Sequence, residues 1–225
     1  MPMQDDEPDA YASPACLAHE VGPAYMGLPP EGGPALNAWR KGERERLITL
    51  RLSLPQAERQ AAGEAIASHL EARIGGFAGK QVSFYWPFRG EPDLRPLMEK
   101  VWAGGGRALL PIVAAKATPL VFRAWRSGEP LEKGVWNIPV PAAGPEEEPD
   151  VAIAPVVGYD PSCYRLGYGG GFFDRTLAKL AGRATGIGVG YAVQRIATIR
   201  PQPYDIPMSA IVTEAGVVTP ARVLG

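Results

Sequence analysis

Apolar and polar positions recur along this chain with two different periods. After Trp39, leucines at 47, 50 and 54 return at spacings of three and four, with Arg40, Lys41, Arg44, Arg46 and Arg51 between them. That period predicts a helix with a largely solvated cationic face, ended by Ser53 or Pro55. A second helix follows, with Ala57, Ala61, Ile66, Leu70 and Ile74 as its expected buried face. Its opening Pro-Gln-Ala-Glu-Arg places proline near a first turn and an acid early. Shorter β-rich or apolar runs predict strands at Gln81–Trp86, Arg107–Val113, Pro119–Trp125, Val151–Val157, Ala184–Tyr191 and Ile211–Thr213. A helix over Leu94–Trp102 links the first two strands into a βαβ unit. Another helix is expected over about Asp174–Leu180, while Leu131–Pro141 reads as irregular and Pro145–Asp150 as an acidic linker.

The alternation implies an α/β protein: a single three-layer α/β/α domain over residues 39–225 with a mostly parallel central sheet. Residues 1–38 are rich in proline, glycine, alanine and acid and show no period. They read as an N-terminal extension, partly disordered or lying on the domain as a strap. Open parallel sheets bind ligands beyond the carboxyl ends of their strands. Glu91, Gln194 and the stretch after Val157 all follow strands, so one shared cleft is expected.

Composition narrows the function. The chain has 225 residues, 46% of them apolar, and a net charge of −1. This balance gives no general electrostatic case for nucleic acid or an anionic membrane, so any anion site must be local. The two cysteines, Cys16 and Cys163, are far apart and suggest reduced thiols rather than a disulfide framework. No apolar run is long enough to span a bilayer, and the acidic start MPMQDDEPD lacks the features of a signal peptide. A cytoplasmic protein is expected, as a monomer or weak dimer. Cys16-Leu-Ala-His19 has metal-ligand spacing, but further ligands are not apparent nearby, and a packed or partner-binding segment is the better reading.

The richest stretch for chemistry is Pro155–Arg175, PVVGYDPSCYRLGYGGGFFDR. Gly167, Gly169, Gly170 and Gly171 allow positive φ and close backbone approach to a ligand. A strand, a glycine-rich turn and a helix N-terminus together make an anion site. Arg165 adds a forked cation suited to phosphate oxygens, and Asp174 a hard oxygen of the kind Mg²⁺ takes beside phosphate. The stretch is neither a P-loop nor a dinucleotide fingerprint: GxxxxGK[ST] is absent, and the third glycine of GxGxxG would fall on Phe172. A plain tight turn remains the bland alternative. Trp86, Phe84, Tyr85 and Trp136 supply flat apolar faces for a heterocycle, although core packing suits Phe84 and Tyr85 better.

The run Gly158-Tyr-Asp160-x-x-x-x-Arg165-Leu-Gly-Tyr-Gly-Gly-Gly-Phe-Phe-Asp174-Arg175 closely resembles the signature of the 5-formyltetrahydrofolate cyclo-ligase family, and the likeness extends more weakly from about Arg40 to about Glu214. The resemblance implies conversion of 5-formyltetrahydrofolate to 5,10-methenyltetrahydrofolate with ATP and Mg²⁺. It implies an ATP phosphate loop at Arg165, Leu166, Gly167, Tyr168, Gly169, Gly170, Gly171, Phe172 and Phe173, with Arg165 and Asp174 catalytic. Asp174 and Asp205 would be the metal-side carboxylates. Trp86, Glu91, Trp136, Tyr168 and Gly170 would meet the reduced folate. Arg40-x-x-x-Arg44 fits the family's N-terminal ATP-contacting pair, with Lys41 as a one-residue alternative. Phe173 departs from the family's usual tyrosine and removes one hydroxyl. Two other classes remain open at this point: a non-catalytic nucleotide- or RNA-binding relative, and an ATP-dependent enzyme acting on another folate or amide. The acids Asp174, Asp205 and Glu91 argue against the first, and only pocket shape decides the second.

Overall fold

The computed structural model describes residues 33–220. The Cys16–His19 pair lies outside the described residues. Helix α1 spans Gly33–Ser53 and α2 spans Gln56–Ile74. Then come β1 (Gln81–Ser83), α3 (Arg95–Ala103), β2 (Arg107–Ile112), β3 (Val121–Ala124), β4 (Leu131–Lys133) and β5 (Pro139–Pro141). The second half holds β6 (Val151–Pro155), β7 (Gly158–Tyr159), β8 (Arg165–Leu166), α4 (Phe172–Lys179), β9 (Thr185–Val189), β10 (Ala210–Thr213) and β11 (Gly216–Val218).

The main sheet has the order β11-β10-β9-β6-β1-β2-β3. Its centre is parallel, and only β3 and β11, at the two edges, pair antiparallel. Strand period sorts each strand's residues between two faces. Val151 and Ile153 of β6 join Ile66 and Leu70 of α2 and Leu97 and Val101 of α3 in one core. Ala152 and Ala154, from the same strand, join Leu177 of α4 on the opposite face. The sheet is therefore covered on both sides, as parallel sheets require. Ile66, Leu70, Leu97 and Val101 are wholly buried, each burial stabilising the fold by about 1.5–3 kcal/mol.

Helix α1 takes a third position. Leu47 and Ile48 pack with Val157, Leu166 and Ile199, all from outside the strands of the main sheet. The helix thus lies across the carboxyl edge of the sheet. It begins at Gly33, six residues before the start that the leucine spacing predicts. Pro34 sits where a first turn tolerates it, and the buried stripe runs on through Leu36 and Arg40. A cation on the inner face hides that stripe from a hydrophobic count. In α2 the buried face includes Ala62 and Gly63, whereas Ala57 and Ala61 are exposed. The irregular segment 131–141 is a hairpin of β4 and β5 whose tip carries Trp136 and Asn137, at φ 59° and 56°. Two further pairings escaped the sequence pattern: the β10–β11 hairpin and the two-residue pairing of β7 with β8.

Candidate active site

Beyond the carboxyl edge of the sheet lies a cavity of about 1100 Å³. Its walls come from α1, the segments after β1 and β6, the β4–β5 hairpin, the glycine loop with α4, and residues 203–206.

The glycine loop hangs from the β7–β8 pair. The turn between those strands is held by Asp160, whose buried carboxylate accepts the backbone N–H groups of Ser162, Tyr164 and Ile199 at 3.0, 3.1 and 3.1 Å. This fixes where Arg165 leaves β8. A Cβ on Gly167 would lie 2.6 Å from Arg165 Nη1, so glycine there makes room for the guanidinium. Gly171 caps α4 with φ 63°, a backbone conformation that side chains resist.

Two guanidinium–carboxylate pairs occupy one end of the cleft. Arg165 Nη2 donates to Asp174 Oδ2 at 2.8 Å. Arg40 Nη2 donates to Asp205 Oδ2 at 2.5 Å and to the Arg200 carbonyl at 2.8 Å. The Ile206 N–H approaches Asp174 Oδ1 at 3.3 Å, which brings Asp174 against the residue next to Asp205. Arg40 Nε and Arg165 Nε are buried without a hydrogen-bond partner. Arg44 donates through Nε to the Gly167 carbonyl at 2.8 Å. Burial and the neighbouring Arg40 charge lower its guanidinium to about 10. It stays cationic at neutral pH, so Arg40, Arg44 and Arg165 hold three positive charges around the loop. Lys41 also lines the cleft.

The other end is aromatic around one buried acid. Glu91 closes a tight turn in which Arg89 and Gly90 take φ 49° and 77°. Its Oε2 accepts the Phe88 N–H at 2.9 Å, and its Oε1 accepts the Tyr168 hydroxyl at 2.8 Å. Burial raises the Glu91 pKa, opposed by Arg51, the Tyr168 hydroxyl and the Phe88 N–H. Trp86 lines this end and packs edge-on against Trp125. Trp136 also lines the cleft, and its ring meets that of Phe172 at 6.3 Å.

The residues that the family resemblance assigned to ATP, metal and folate therefore line one cleft: Arg40, Lys41, Arg44, Trp86, Glu91, Trp136, the loop Arg165–Phe173, Asp174 and Asp205. Two readings, those of Gln194 and Arg51, need correction. Gln194 is buried away from the cleft, where it accepts the Tyr191 N–H and donates to the Val157 carbonyl at 2.6 Å. Phe84 and Tyr85 are both core, as expected, and Tyr85 also borders the cleft, its hydroxyl donating to the Pro92 carbonyl at 2.8 Å. Arg51 belongs to no solvated face: it is wholly buried and donates to the Tyr168 hydroxyl at 2.7 Å. Its position four residues after Leu47 was the signal, because that spacing shares a helix face. Arg175, also unmarked by sequence, lines the cleft and donates to the Gly170 carbonyl at 3.0 Å.

Among the described residues, no group of three or more histidine, cysteine, aspartate or glutamate side chains could hold a metal ion. The two aspartates still suit Mg²⁺, which takes one or two carboxylates beside substrate phosphates and water rather than a protein cage. The unpartnered guanidinium N–H donors suit phosphate oxygens.

Fold and cleft together define an α/β protein in which a glycine loop flanked by arginines lies beside an aromatic pocket. The chain belongs to the 5-formyltetrahydrofolate cyclo-ligase family, a family of ligases, whose model matches residues 36–214. A 5-formyltetrahydrofolate cyclo-ligase of Mycolicibacterium smegmatis is 32% identical over 178 residues, covering 76% of this chain and 91% of the relative. One of Escherichia coli K12 is 30% identical over 174 residues, covering 74% and 96%. The solved structure of Aquifex aeolicus 5,10-methenyltetrahydrofolate synthetase superposes with a TM-score of 0.71 at 28% identity, covering 83% of this chain and 96% of that one.

Proposed function

We propose that this chain closes 5-formyltetrahydrofolate to 5,10-methenyltetrahydrofolate, with ATP as co-substrate and Mg²⁺ bound. The observation that carries the reading is the shared cleft: three arginines and two aspartates around a glycine loop, in one cavity with Glu91, Trp86 and Trp136. A pocket for a drug-sized ligand has roughly 300–1,000 Å³, so this cavity suits two ligands side by side.

The formyl oxygen is a poor leaving group, and transfer of the γ-phosphoryl group to it solves that problem. An O–P bond forms, the bond to ADP breaks, and the formyl carbon becomes an iminium phosphate. N10 of the folate then attacks that carbon and loses its proton, the C–O bond breaks, and phosphate leaves as the ring closes. Arg40, Arg44 and Arg165 hold the phosphate charge. Asp174 and Asp205 would hold Mg²⁺, which neutralises phosphate oxygens. Glu91 accepts N–H groups of the pterin, and Trp86 and Trp136 flank its ring. The protein's part is positioning and charge neutralisation, the main sources of rate in phosphoryl transfer.

Purified protein with ATP, Mg²⁺ and 5-formyltetrahydrofolate tests the proposal. The methenyl absorbance should rise only when all three are present, with one ADP formed per turnover. Absorbance that stays flat in folded protein overturns it.

A further inference from the structure

Arg51 has no place in the chemistry above, yet it is the largest wholly buried side chain among the described residues. An arginine is seldom buried unless its charge and its N–H groups are all met. Here Nε donates to the Arg89 carbonyl at 3.0 Å, and Nη1 approaches the Val156 carbonyl at 3.4 Å. Nη2 donates to the Tyr168 hydroxyl at 2.7 Å, and that hydroxyl donates to Glu91 Oε1 at 2.8 Å. Arg51 Nη1 also stands 4.0 Å from the same carboxylate oxygen. Glu91 and Tyr168 line the cleft, whereas Arg51 does not.

The four partners come from three parts of the fold. Arg89 and Glu91 belong to the turn after β1, Val156 follows β6, and Tyr168 sits in the glycine loop. One guanidinium fixes all three. Arg44 precedes Arg51 by seven residues, two turns of α1 and about 10 Å along it, so one helix face serves both ends of the cleft.

We infer that Arg51 is a positioning residue for the folate end of the site: it aims the Tyr168 hydroxyl and holds the Glu91 carboxylate as an acceptor. The inference rests on the folate reading of Glu91 proposed above. The other titratable groups facing this cluster are Tyr85 after β1 and Tyr191 after β9, with Arg59 and Glu214 beyond Tyr191. Arg51 is the cation that offsets the burial of Glu91. Burial itself opposes the Arg51 charge, but Tyr168 and Glu91 raise its pKa overall.

The test compares Arg51→Met and Arg51→Lys with the unaltered chain, using 5-formyltetrahydrofolate and ATP. Arg51→Met should raise KM for the folate at least about tenfold and leave KM for ATP within about twofold, because the lost contacts serve one substrate. Its acid limb of kcat/KM for the folate should move up by about one pH unit or more, because an opposite charge near a carboxylate lowers its pKa by about that much. Arg51→Lys should restore much of the limb position. A merely structural arginine would lower melting temperature and active fraction without moving the limb. An unmoved limb, or equal rises in both KM values, overturns the inference. If Arg51→Met does not fold, Arg51→Lys together with Tyr168→Phe carries the test, since loss of the Tyr168 hydroxyl breaks the relay and keeps the charge. The limb must then move up in Tyr168→Phe and stay within about half a unit in Arg51→Lys. Any other pattern overturns the inference. An unaltered chain that forms no methenyl product removes the folate reading itself and this inference with it, an outcome distinct from a failure confined to the variants.

Discussion

The two ends of the cleft carry charge in opposite ways. At the end assigned to the nucleotide, Arg165–Asp174 and Arg40–Asp205 pair at 2.8 and 2.5 Å beside open volume, and each arginine keeps one unpartnered buried N–H. At the end assigned to folate, Arg51, Tyr168 and Glu91 form a closed chain of donors and acceptors. The first arrangement can exchange partners. In the proposed reaction a phosphate would take the guanidinium and a divalent cation the carboxylate, and no charge would be left alone. The second cannot exchange without stranding a buried charge, which costs about 3–5 kcal/mol. Mobile charge suits an end where phosphate passes from one molecule to another. Fixed charge suits an end that only has to recognise a ring.

Breaking the exchangeable end should have the larger effect. Asp174→Asn should lower kcat by about 10³-fold or more, because it removes charge that matters mainly in the transition state. Circular dichroism and melting temperature should stay near those of the unaltered chain. Unchanged turnover in that variant would take Asp174 out of the site. Arg165→Ala should raise KM for ATP or lower kcat, together by about 10²-fold, through loss of a forked phosphate contact. Lys100→Ala is its control, since Lys100 pairs with Glu71 on the surface. Equal kinetics in the two variants would make the glycine loop structural.

Breaking the fixed end sharpens the contrast. Glu91→Gln should raise KM for the folate about tenfold with KM for ATP unchanged. It should also alter how stability depends on pH. The folded pKa of Glu91 lies above its ordinary 4.5, so the folded chain binds that proton more readily than the unfolded one. The associated stability is fully present below 4.5 and lost as pH rises through the folded value. Melting curves across that window should show the unaltered chain gaining on Glu91→Gln as the solution is acidified. A constant difference would mean that burial leaves this carboxyl unperturbed.

The smallest effect concerns the start of α1. A chain beginning at Trp39 loses buried Leu36 and the cleft wall at Asn37 and Ala38. Compared with a chain beginning at Gly33, it should melt a few degrees lower, with KM for ATP raised about two- to fivefold, consistent with about 1 kcal/mol. Identical behaviour would show that α1 is needed only from Trp39 onward.

Six of the sheet's seven strands, all but β11, were legible in the sequence because they are short apolar runs set off by turns. Leu131–Pro141 was not, because proline, glycine and Trp136 conceal a hairpin that has no alternating period. That Arg165, the glycines and Asp174 share one end of the cleft was legible because they are neighbours in sequence. Arg51 was not: a buried cation looks like a surface cation until its partners are known. Two of those partners, Tyr168 and Glu91, lie 117 and 40 positions further along the chain. Gln194 was misplaced for the converse reason. Following a strand locates a residue at the correct edge of the sheet, but its amide turns inward to the Val157 carbonyl.

Helix α1 has one more consequence, in the order of synthesis. Arg40 leaves the ribosome early, yet its carboxylate partner Asp205 follows 165 residues later. Arg44 likewise waits for Gly167. Contacts of such separation form late, after the loop-closure entropy has been met by other pairings. A nascent chain can therefore pair β1, β2 and β6, and meet Arg51 with Arg89, while Arg40 and Arg44 still lack their partners. Until then the arginine-lined end of the cleft is incomplete. Among the described elements, the first one made waits for a partner 165 positions away, and its docking completes the cleft wall.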